Sequence, residues 1–92
     1  MSEQQMDELI RIASDTARRA AADWVRLNGV KVTDYEQATQ ALRSEIKLAL
    51  NDALDEAKKA SDCGMDQVAV CTFRASMMAA GIRAAKQFGE AA

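Results

Sequence analysis

The sequence contains no histidine. That absence removes Ser–His and Cys–His nucleophile pairs and with them the commonest general base. A zinc site would have to be assembled without imidazole, from two cysteines and a few carboxylates. Hard carboxylate oxygens beside soft thiolates make a poor ligand set. Proline is also absent, while hydrophobic residues make up 49% of the chain. Such a composition fits neither a disordered nor a collagen-like polymer. Aromatics are scarce, at one Trp, one Tyr and two Phe, and offer no platform on which nucleic-acid bases could stack. An excess of one charge is missing too, because 12 basic residues face 14 acidic ones for a net charge of −2. Nucleic acid is therefore not the expected partner.

Phosphate-cradling and metal-binding motifs are missing in turn. There is no GxGxxG, no GxxxxGK[ST] and no EF-hand loop. The cysteines, Cys63 and Cys71, lack the CxxC spacing of a redox pair. Eight residues apart on one helix they would stand about 12 Å apart along its axis, beyond the reach of a disulfide. They read as small side chains beside a turn, with Cys71 expected to be buried. The carboxylates Asp7/Glu8, Asp52/Asp55/Glu56 and Asp62/Asp66 read as solubilising charges on helix faces. No enzyme activity, cofactor or metal is expected. The opening "MSEQQMDELI" lacks the pattern of a secretion signal. The most apolar stretch, Val68 to Ala85, is interrupted by Arg74 and Arg83, so no membrane span is expected. A cytoplasmic protein with reduced thiols is the resulting expectation.

What remains is helix. Ala, Leu, Glu, Lys and Arg dominate three long segments, and their propensities favour helix over strand. Gly29 and Gly64 sit where a helix ends with a left-handed residue. Thr33 and Glu36 have the spacing of a capping box. Together these signals predict one domain over residues 1–92, with helices near 5–28, 34–62 and 66–88. The predicted fold is all-α: three long antiparallel helices in an elongated bundle.

The faces of the segments differ. In the first, Met6, Ile10, Ala13, Ala17, Ala20, Trp24 and Leu27 recur at alternating steps of three and four, a heptad seam. The charges Asp7, Arg11, Asp15, Arg19 and Asp23 alternate in sign elsewhere on that helix, as a solvated, self-paired face does. The second segment carries Tyr35, Ala38, Leu42, Ile46, Ala49, Ala53, Ala57 and Ala60 at a period near 3.6, with Leu50 and Leu54 widening the stripe.

The third segment is apolar over about 200° of its circumference, against the roughly 100° that a surface helix needs. It is either the central helix of the bundle or the seam with a second chain. Gly81 in mid-helix costs about 1 kcal/mol relative to Ala, and so signals a kink or the close approach of a neighbour. The residues expected to form a dimer seam are Arg74, Met77, Met78, Gly81, Ile82 and Ala85. The expected function is that of a small, non-enzymatic protein–protein interaction module, a homodimer with a further protein partner. The alternative is a small accessory or regulatory protein of phage or mobile-element type. It would act on a nucleic-acid-processing complex by protein or nucleic-acid contact.

Overall fold

Three helices account for most of residues 1–89, the part of the chain that the computed structural model describes. They are α1 (Glu3–Leu27), α2 (Tyr35–Asp62) and α3 (Asp66–Ala85). Each helix runs antiparallel to the one before it, and together they form a rod of 47 × 21 × 16 Å. Its radius of gyration is 14.2 Å, against about 12 Å for a compact sphere of this length.

The helix ends follow from local chemistry. Before α1, Ser2 Oγ accepts from the Gln5 N–H at 3.2 Å, and Gln5 Oε1 accepts from the Ser2 N–H at 2.8 Å. This capping box begins the helix two residues earlier than the hydrophobic pattern suggested. At the far end of α1 the Gly29 N–H donates to the Arg26 carbonyl and the Val30 N–H to the Val25 carbonyl. The α2–α3 corner repeats the arrangement, with Gly64 donating to Ser61 and Met65 to Ala60. Both are Schellman motifs, closed by glycines at φ +61° and +77°, where a Cβ would be strained.

The cap of α2 differs from the expected one. Asp34, not Thr33, is the N-cap, and its carboxylate accepts from the Gln37 N–H at 3.0 Å. The Thr33–Glu36 box does not form. A carboxylate caps as well as or better than Thr and also interacts favourably with the positive end of the helix dipole. Glu36 instead occupies the first turn of α2, where its charge is favourable.

Helix α3 lies between the other two, packing along both, while α1 and α2 touch each other only lightly. Its inner face buries Ala69, Phe73, Met77, Ala80, Gly81, Ala84 and Ala85. Phe73 and Met77 are the largest fully buried side chains and anchor a cluster with Leu9, Ala13, Ala53 and Ala57. Toward the other end of the rod the interior consists of small residues: Ala17, Ala20 and Ala21 from α1, Ala38 and Ala41 from α2. There the backbones come close. A Cβ on Gly81 would overlap the Ala17 carbonyl oxygen and lie 2.8 Å from its carbon. The neighbour that Gly81 admits is therefore α1 of the same chain.

Two further expectations are corrected. The seam of α1 runs through Leu9, Ala13, Ala17, Ala20 and Ala21, leaving Ile10 and Leu27 exposed. A straight helix drifts about 20° per heptad from a 3.5-residue repeat, so a seam that fits its middle leaves its ends turned away. Helix α3 stops at Ala85, and Phe88 follows in a turn instead of extending the helical arc.

Candidate interaction surface on α3

The six residues expected at a seam divide between the inside and the outside of the bundle. Met77, Gly81 and Ala85 are buried against the chain's own helices, so they do not form an outer surface. Arg74 and Met78 are exposed, and Ile82 is partly so. Cys71, expected inside, is exposed, as is Cys63, and both thiols are free.

With the inner residues removed, a pattern appears on the outer side of α3. Val68, Cys71, Ala75, Met78 and Ile82 follow one another at steps of three, four, three and four. At 100° per residue they fall within one narrow stripe, the spacing by which one helix meets another. Val68 is 49% exposed and Met78 48%; Cys71 and Ala75 are exposed as well. The length and composition of α3 alone are enough to cross a membrane, in spite of Arg74 and Arg83, and only 39% of its apolar window is buried in the bundle. An apolar arc this wide exceeds what a surface helix needs to bury, and here α1 and α2 cover only part of it.

A groove flanks the stripe on each side. Toward α1, Arg74 and Met78 border Ile12, Asp15, Arg19 and Asp23. Toward α2, Ala79 and Arg83 border Glu45, Leu48, Asp52 and Glu56, with Leu48 75% exposed. Most of these charges are paired within the chain. Arg19 pairs with Asp15 at 3.2 Å, Arg26 with Asp23 at 3.2 Å and Lys59 with Glu56 at 3.6 Å. Arg83 Nε donates to Glu45 at 3.1 Å, and Gln87 reaches the same carboxylate at 3.2 Å. Such exposed pairs each contribute about 0.2–1 kcal/mol at most. Among the described residues, Arg74 and Asp52 have no ion-pair partner.

A third cleft, between α1 and α2, brings together residues that are far apart in sequence. Arg18 and Arg43 line it with Ser14, Tyr35, Thr39 and Phe88, and among the described residues no acidic side chain contributes to the lining. Neither arginine is ion-paired among the described residues. The alternating charges of α1 concealed this pairing, because Arg43 arrives from another helix. Among the described residues no three His, Cys, Asp or Glu side chains converge as metal ligands would.

The chain matches no family model, no curated protein and no solved structure.

Proposed function

We propose that this protein is a non-enzymatic helical interaction module of the cytoplasm that self-associates through the outer face of α3 and presents the resulting assembly to a protein partner. The uncovered apolar stripe Val68–Cys71–Ala75–Met78–Ile82 carries this reading. Removing such a stripe from water contributes roughly 25 cal/mol per Å², and a second helix set against it is the simplest cover. Substituting Met78→Glu together with Ile82→Lys is expected to convert a dimer into a monomer in sedimentation velocity. The helical circular dichroism signal should persist, because Met78 is half exposed in the single chain. Loss of helicity in the variant would show that these side chains hold the bundle together instead.

A second reading is supported by the Arg18–Arg43 cleft. Two arginines with no acidic neighbour among the described lining residues, beside exposed Tyr35, suit phosphate contacts. The protein would then be an accessory factor of a nucleic-acid-processing complex. Fluorescence anisotropy with labelled single-stranded DNA tests this. Binding that weakens with added salt and is abolished by Arg18→Glu with Arg43→Glu supports it; no binding at low salt refutes it.

A further inference from the structure

Resting on the self-association reading above, we infer that the second copy docks with its α3 parallel and in register. Each stripe residue then meets its own counterpart across a two-fold axis, Cys71 faces the partner's Cys71, and Arg74 of each copy faces the partner's Asp52.

The inference starts from Arg74 and Asp52, the two charges lining the grooves beside the stripe that have no ion-pair partner among the described residues. Arg83 is bonded to Glu45 across the antiparallel α2–α3 pair, which fixes the level of one helix against the other. Arg74 lies nine positions before Arg83, so it stands level with the residue nine positions after Glu45, which is Leu54. Asp52 and Glu56 bracket that level on the groove edge of α2. Arg74 and Asp52 are thus at one height, on opposite sides of the stripe.

The two possible orientations treat this pair differently. In a parallel two-fold dimer, α1 of each copy lies over α2 of the other. The Arg74 edge of one chain then meets the Asp52–Glu56 edge of its partner, twice by symmetry. In an antiparallel dimer, like edges meet. The Asp52–Glu56 edge would face its own copy, and Arg74, one position from the stripe's midpoint at Ala75, would sit beside the partner's Arg74. Like charges set against each other disfavour that arrangement, and complementary edges select the parallel one.

The stripe itself agrees. In heptad terms Val68, Ala75 and Ile82 occupy one set of core positions and Cys71 and Met78 the other. Two of the three residues in the first set, Val68 and Ile82, are β-branched, the type that suits parallel two-stranded pairing there, and the third, Ala75, is small. Area agrees as well. The stripe from Val68 to Ile82 is about 21 Å long and about 10 Å wide, roughly a quarter of the 800 Å² that each partner gives a stable interface. The remainder must come from the flanks. Parallel docking supplies it by laying exposed Leu48 on the α2 edge over the α1 edge of the partner.

Oxidation of the native chain by diamide tests the register. Two facing thiols would lose two protons and two electrons to diamide, which becomes the hydrazine, and a single intermolecular disulfide forms. The expected result is a covalent dimer on a non-reducing gel for the wild type and for Cys63→Ser, and none for Cys71→Ser. Arg74→Glu and Asp52→Arg should each weaken the dimer about two- to tenfold, and the two changes in one chain should restore it. A protein that sediments as a dimer but forms no Cys71 link, or in which the charge exchange restores nothing, overturns the parallel register and leaves self-association standing. A wild type that sediments as a monomer overturns both.

Discussion

Gly81→Ala is expected to destabilise the bundle by about 1–3 kcal/mol, the usual range for overpacking, although Ala is the better helix former. In an exposed helix the same change would stabilise by about 1 kcal/mol. Here the added methyl would overlap the Ala17 carbonyl oxygen and approach that residue's carbonyl carbon to 2.8 Å and its Cα to 3.0 Å. The obstacle is backbone, which cannot rotate aside as a side chain can. Relief requires α1 and α3 to separate over the stretch where Ala13, Ala17, Ala20, Ala80, Ala84 and Ala85 are all buried. Small residues pack well only at close range, so separation there forfeits contacts along several turns. In thermal unfolding the midpoint should fall by about 4–8 °C per kcal/mol lost, given the size of the chain. A midpoint that rises would mean that α1 and α3 do not approach each other in this way.

Phe73→Ala should have the larger effect, about 3–5 kcal/mol. Phe73 is fully buried, and apart from Met77 no other large side chain among the described residues is so enclosed. Its neighbours include Leu9, Ala13, Ala53 and Ala57, most of them too short to fill the space it would leave. Domains of ordinary stability have about 5–15 kcal/mol in all, so this one change should leave the chain near its folding threshold. Urea titration gives the comparison, with Met78→Ala as the control at a half-exposed position of the same helix. Equal losses for the two variants would contradict the division of α3 into an inner and an outer face.

That division is also where sequence reading reaches its limit. The existence of the helices was legible because propensity, periodicity and punctuation agree. Gly29 and Gly64 marked both corners, and the Schellman bonds around them follow from the left-handed backbone that glycine permits. The spacing to Glu36 pointed to Thr33 alone as the cap of α2, whereas the neighbouring Asp34 takes the position, a choice that only the geometry of the chain's entry into α2 decides. For α3 the difficulty is more basic. An arc of about 200° contains both the face that the chain covers and the face that it leaves open, and periodicity cannot say where one ends. Met77 and Met78 are adjacent in sequence, yet one is sealed in the core and the other half exposed. The deciding fact is where α1 and α2 lie around α3, a tertiary property that Gly81 alone hinted at. The same holds for Arg18 and Arg43, which are 25 positions apart and become neighbours only when α1 and α2 fold alongside each other.

The uncovered stripe on α3 is the central feature of the functional account, and sedimentation velocity of the wild-type chain over a wide concentration range tests it most directly. The account predicts a monomer–dimer equilibrium that shifts toward dimer as concentration rises and is displaced to monomer by Met78→Glu with Ile82→Lys. A wild type that sediments as a single monomeric species up to millimolar concentration would contradict it.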